Sequence, residues 1–319
     1  MDRELTRIKW SHKWNKKEST IVKCDSIFKS CNSVNATYNV IKKTAIKSIR
    51  STFSNDYQTH LIELCKQGSY VRLATQLEND INWKSMIYSL PRKTLSFLLN
   101  SILDTLPTNV NLTQWGKHIS DRCKHCGARE TLGHVLNNCP KMLEQGRYTW
   151  RHDSILKTIH DFTKALTDDN TVIYCDIGET TCTIPPDVLV TSDRPDLVLV
   201  NRSIKKFWIL ELTVPFESSI ENANKRKNSK YERLVNDLEL LDFSVNFCAI
   251  EIGSRGLVPK ANKERLLLFY SDIQGKKVNT KRISSHLNVV SKKAMLASYL
   301  IFSTKFNQEW FAPPLICDL

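Results

Sequence analysis

The sequence predicts an α/β C-terminal domain behind a mainly helical N-terminal region, with a short cysteine–histidine cluster between them. Three observations carry this. Apolar residues recur at helical spacing in the first third of the chain. Three cysteines and a histidine crowd into CKHCGARETLGHVLNNC, Cys123 to Cys139. After about residue 171, short runs rich in Val, Ile and aromatics alternate with long helical stretches.

In chain order, residues 1–80 read as helical, with NVIKKTAIKSIRSTF and YQTHLIELCKQGSYVRLATQLE as the clearest segments. Pro91, the Pro107 region and Asn109–Asn111 interrupt the next stretch, and KTLSFLLNSILDTL between them is an apolar-faced helix. A helix is expected around 150–166. TVIYCDIG, DVLVT, PDLVLV and FWILELTV then read as strands, the last two joined through NRSIKK as a hairpin. FESSIENANKRKNSKYERLVNDLELL is one long helix, FSVNFCAIEIG another strand, and helices around 259–271 and 283–304 follow.

The 319 residues suffice for about two domains, and 41% hydrophobic residues suffice for a core. No apolar run is long enough for a membrane helix. MDRELTRIKWSHKWNKK lacks the apolar stretch of a secretory signal, so an intracellular, nuclear location is expected. The other cysteines (Cys24, Cys31, Cys65, Cys175, Cys182, Cys248, Cys317) then read as reduced thiols, several of them buried. Neither GxGxxG nor GxxxxGK[ST] occurs, which argues against a nucleotide site. A net charge of +13 and a pI near 9.2 favour an anionic partner, above all nucleic acid. Residues 1–50 hold twelve Lys or Arg against four acids, and Lys225, Arg226, Lys227, Lys230 and Arg233 form a second basic cluster. Trp10 and Trp14 lie among Lys9, Lys13, Lys16 and Lys17, a pattern that fits either base stacking or core packing beneath a solvated lysine face.

Cys123, Cys126, His134 and Cys139 have the spacing C-x2-C-x7-H-x4-C. A CxxC turn offers two thiolates, and a His and Cys on a following helix complete a tetrahedron for Zn2+. Gly127 falls where the turn needs a positive φ. Four protein ligands make the site structural. The knuckle either presents Arg122, Lys124 and Arg129 to nucleic acid or clips domains together.

Asp196 opens one predicted strand, and Glu211 lies fourteen intervening residues later in the next. A hairpin brings such carboxylates side by side, as a divalent metal for phosphodiester cleavage requires. On the following helix Lys227 falls on the apolar stripe of Ile220, Ala223, Tyr231, Leu234, Leu238 and Leu241, with Lys230 at i+3. A lysine on that face either serves the acids or snorkels out to solvent.

These segments together resemble the C-terminal part of a site-specific, early-branching non-LTR retrotransposon polyprotein, where a CCHC knuckle lies between reverse transcriptase and a restriction-like endonuclease. The resemblance covers roughly residues 85–260. It runs through SLPRKTLSFLLNSILDTLPTNVNLTQWGK, the knuckle, YTWRHDSIL, RPDLVLV, ILELTVPFE, the KRKNSKY helix and EIGSRG. It implies a PD-(D/E)xK restriction-endonuclease-like fold over 146–319, a knuckle over 116–145 and a helical region over 1–115 whose later part is the post-polymerase linker. It implies Asp196 and Glu211 as ligands of Mg2+ or Mn2+. Lys227 or Lys230 is the catalytic lysine, moved onto the helix, with Tyr231 nearby and Glu217 as a supporting acid. Arg151, His152, Arg194, Arg226 and Lys124 become nucleic-acid contacts. The expected activity is metal-dependent nicking of DNA, and the alternative is an inactive nucleic-acid-binding remnant. DNA, secondarily RNA, and a reverse transcriptase acting in trans are the expected partners, with no membrane. Thr213 stands where the strand lysine of the PD-(D/E)xK pattern would be. No F/YxDD polymerase signature is present, since Asp168–Asp169 follow Leu166–Thr167, so no reverse transcription is expected of this chain.

Overall fold

The computed structural model describes residues 38–79, 81–178 and 184–316. Trp10 and Trp14 with their lysines, and Cys24, Cys31, Cys182 and Cys317, lie outside the described residues. The chain divides into two compact units at Gly68/Ser69. The boundaries expected at 115 and 145 therefore fall inside the second unit.

In the first unit, Tyr38–Glu63 is a single helix, α1. The expected continuous helix from Tyr57 to Glu78 is interrupted after Glu63, with a turn closed by Gly68 N–H on Leu64 O at 3.0 Å.

The second unit opens with helices α2 (Ser69–Gln76), α3 (Trp83–Ser89) and α4 (Arg92–Ile102). Pro91 starts α4 with its ring-fixed φ. Asn109–Gln114 forms a short helix, α5, where a break was expected, because the Thr108 hydroxyl accepts the Asn111 N–H and caps it. Pro140–Glu144 (α6) and Arg147–Lys164 (α7) follow the cysteine cluster.

The sheet has four strands in the order β1 (Val172–Cys175), β2 (Leu197–Asn201), β3 (Lys206–Thr213), β4 (Ser244–Glu251). β2 lies antiparallel to both β1 and β3, whereas β4 lies parallel to β3. That pairing needs a crossover, supplied by helix α8 (Ile220–Leu240). Helices α9 (Lys260–Gln274) and α10 (Thr280–Ser303) follow.

β2 is buried along its whole length, and its side chains alternate between two cores. Leu197 and Leu199, with Trp208, Leu210 and Leu212 of β3, pack on Ile155, Ile159, Leu266 and Phe269 of α7 and α9. Val198 and Val200, with Phe207 and Ile209, pack on Tyr231, Leu234 and Leu238 of α8. Helices thus cover both faces, a mixed α/β layering.

DVLVT is not a strand. Val188 and Leu189 donate their N–H groups to Pro185 O at 2.9 and 3.1 Å, so the stretch turns back behind Pro185–Pro186. Its Val188 and Leu189 side chains still pack on the second core. No helix among the described residues is long and apolar enough to cross a membrane.

Candidate metal centres

The four predicted zinc ligands converge. Their donor atoms all lie within 4.8 Å of one another. Cys126 Sγ is 3.4 Å from His134 Nε2 and 4.0 Å from Cys139 Sγ. Tetrahedral bonds of zinc length would separate such donors by about 3.5–3.8 Å, so the donor set fits Zn2+ once its wider pairs close by up to about 1 Å.

Local backbone sets this geometry. Cys123 N–H donates to Ala128 O at 2.7 Å and Gly127 N–H to Cys123 O at 2.9 Å, with Gly127 at φ 73°. His134–Asn138 forms a π turn. In an α-helix, ligands five residues apart would point about 140° away from each other. The wider turn brings His134 and Cys139 onto one face, a use typical of π turns. Burial pushes the Cys123 thiol up to about 11, so a thiolate there needs a cation beside it. Burial, opposed by Glu130, lowers His134, favouring the neutral imidazole that ligates metal.

The knuckle shares a core with its surroundings. Cys123, Leu132, Val135, Leu136 and Cys139 pack with Phe97, Leu106 and Met142, and with Ile301 and Phe302 of α10. Lys305 Nζ, itself buried, pairs with Glu130 at 2.5 Å and donates to Pro107 O at 2.9 Å. His125 Nε2–H donates to Lys305 O at 2.6 Å. Arg122 and Arg129 both engage Asp121. Lys124 is exposed, its ammonium 5.5 Å from the Phe306 ring.

The second centre lies between β2 and β3. Asp196 N–H donates to Glu211 Oε2 at 3.1 Å, and Leu212 N–H donates to Asp196 Oδ2 at 2.7 Å. Both acids are buried. Lys227 Nζ from α8 pairs with Glu211 Oε1. Lys230 turns elsewhere: it donates to the Tyr231 hydroxyl at 2.8 Å and lies over that ring. Tyr231 OH donates to Arg194 O at 2.9 Å. Of the two lysines, Lys227 is the one that reaches the acids. Burial, with Asp196 adding its charge, raises Glu211 above the usual carboxylate value, opposed by Lys227. Burial, with Glu211 and Asp196 nearby, likewise raises Tyr231.

The basic pair Arg151–His152 divides. Arg151 is 1% exposed, with its guanidinium on Leu136 O, Ser298 Oγ and Val214 O at 2.9, 3.1 and 3.2 Å. Nothing of it reaches the surface to meet a phosphate, contrary to expectation. His152 joins the acid centre, with Nδ1–H on Asp153 at 3.2 Å and Nε2–H on Asp196 Oδ2 at 3.2 Å. Burial alone would lower His152, but Asp196 and Asp153 outweigh it and push the imidazole up to about 10.

Glu217 is not a supporting acid of this centre. It is buried against Arg255, whose N–H and Nε–H donate to it at 2.6 and 2.7 Å. A Cβ at Gly253 would stand 2.6 Å from Glu217 Oε1, so the glycine makes room for the pair. Arg194 pairs with Asp176, while Arg226 is exposed on α8. The contacts of His152 and Asp153 were missed in the sequence. Their only signal was position, one helical step past Arg151.

Residues 64–145 match a protein-family model described as zinc-binding in reverse transcriptase, and that span includes the whole cysteine–histidine cluster. Comparison with curated proteins finds no match. The matched segment is similar to the zinc-binding domain of retroelement proteins.

Proposed function

We propose that this chain is the zinc-binding and DNA-cleaving part of a retroelement protein, with a restriction-like PD-(D/E)xK centre at Asp196, Glu211 and Lys227. The observation that carries this reading is the juxtaposition of two buried carboxylates with a lysine from the crossover helix. Such a group of hard oxygen donors suits Mg2+ or Mn2+. Asp196 and Glu211 would hold the cation, which supplies Lewis acidity at the scissile phosphate. Leu212 N–H and His152 fix one oxygen of Asp196, leaving Oδ1 for the ligand role. Lys227 opposes the burial that raises Glu211 and places positive charge beside the phosphate. The match to a reverse-transcriptase zinc domain supports the retroelement part of the reading. The knuckle is structural, since four protein ligands fill its tetrahedron.

DNA is the partner, nuclear the location, and copying of RNA falls to a reverse transcriptase acting in trans. RNA is a secondary ligand. Exposed Arg226 and Lys124 offer phosphate contacts, with Arg194 at the rim of the acid centre.

Plasmid nicking tests this directly. The zinc-loaded protein with Mg2+ or Mn2+ should convert supercoiled to open-circular DNA, EDTA should stop it, and Asp196→Ala should lower the rate by at least about a hundredfold with DNA affinity unchanged. Equal nicking by the variant would refute the site. Absent nicking with salt-sensitive binding would make the chain a binding remnant.

A further inference from the structure

One helix touches both metal centres. Tyr148 of α7 places its hydroxyl where Cys139 N–H donates to it at 3.1 Å, and it donates to Val135 O at 2.9 Å and His134 O at 3.2 Å. One turn on, the Arg151 guanidinium sits 5.5 Å over the Tyr148 ring. Arg151 spans from Leu136 O, inside the zinc-bearing π turn, to Val214 O. Val214 stands three residues after Glu211, just past the end of β3. Asn137 of the same π turn also donates to Val214 O, at 2.7 Å. The next residue of α7, His152, holds Asp196.

Two metal-bearing segments are therefore tied to one rigid element and to one shared carbonyl. The π turn needs a reason to keep its wide geometry, because that form is intrinsically poorer than the α-helix. A zinc ion joining His134 to Cys139 supplies that reason. Without it, Leu136 O and the Asn137 side chain would relax, and both donors to Val214 O would shift with them. The exit of the Glu211 strand, and Asp196 through His152, would lose their fixed positions.

We propose that Arg151 is a positioning residue that transmits zinc occupancy of the knuckle to the geometry of the Asp196–Glu211 pair. The inference rests on the reading of that pair as the working centre, but the coupling itself is measurable without any cleavage. The observable is amide hydrogen exchange at Asp196 and Leu212, whose N–H groups bond to the two carboxylates.

In the zinc-loaded full chain, Arg151→Met should speed exchange at these two amides by about tenfold while zinc content stays at one per chain. Amides at the far end of the β2–β3 ladder, Val200 and Phe207, should not change. Removing zinc from the wild type with a chelator should give the same local pattern. Asn137→Ala, which removes the second donor to Val214 O from a half-buried site, should give a smaller local rise. It also carries the test if Arg151→Met does not fold. Unchanged exchange at Asp196 and Leu212 in the folded variants would overturn the coupling. So would an equal rise across the whole sheet, which marks a merely structural arginine. If the exchange pattern holds and the wild type nicks nothing, the coupling stands and the nuclease reading fails. If the wild type nicks and the pattern is absent, the reverse is true.

Discussion

Lys227 meets Glu211 with only a fifth of its side chain exposed, and Glu211 has almost none. Removing one member of such a pair leaves a buried charge without compensation, a loss of about 3 kcal/mol or more. Lys227→Met should therefore lower the denaturant midpoint clearly in the zinc-loaded protein without added Mn2+. If Asp196 and Glu211 hold a divalent cation, Mn2+ replaces the missing positive charge and recovers much of that loss. Urea titrations with and without Mn2+ read this, and an identical loss in both would argue against a cation at the pair. Lys227 could be read from the sequence because a lysine broke an apolar stripe at helical spacing. Arg151 and His152 could not be told apart that way. Consecutive helical residues point about 100° apart, so one enters the core and its neighbour the acid centre. Which does which depends on packing between residues 15 to 147 positions apart.

At the scale of elements, the zinc ligands were legible because all four lie within seventeen residues, and short spacings nearly dictate geometry. The π turn was not, since nothing in HVLNN distinguishes it from an α-helical turn until metal geometry and Val214 are considered. The β2–β3 hairpin was legible from alternation, but DVLVT shows the limit. Its apolar residues face a core from a turn, because Pro185 and Pro186 precede it. The link between the knuckle and the segment just past α10 was also invisible, being an ion pair 175 positions apart. Lys305→Met should leave Glu130 buried with only its Asn109 donors and destabilise the domain by about 3 kcal/mol. Zinc should also leave more easily, seen as faster chelator-induced release. Unchanged release would mean that the ion pair does not brace the knuckle.

For the molecule as a whole, acid stability is set partly by His286 on α10. Its ring stacks on Phe162 at 3.9 Å, and burial, with Lys293 and Arg282 nearby, pushes it down to about 3 from an ordinary 6.5. Between those values the unfolded chain binds the proton and the folded chain does not. The contribution of His286 is thus complete above pH 6.5 and drains away as pH falls toward about 3. From about pH 7 to about pH 5 the loss should approach about 2 kcal/mol. His286→Leu should lose less stability over that interval in urea titrations at the two pH values. Equal losses would show that another group governs the acid limb.

The reach of Lys305 back to Pro107, His125 and Glu130 bears on how such chains can be recombined. A joint placed on either side of the knuckle would separate residues that meet in one buried cluster. The knuckle is consequently a poor cassette for grafting between relatives. The smallest portable piece is the body that begins near Ser69 and includes Lys305, and a chimera should inherit the knuckle and the Asp196–Glu211 pair together or neither.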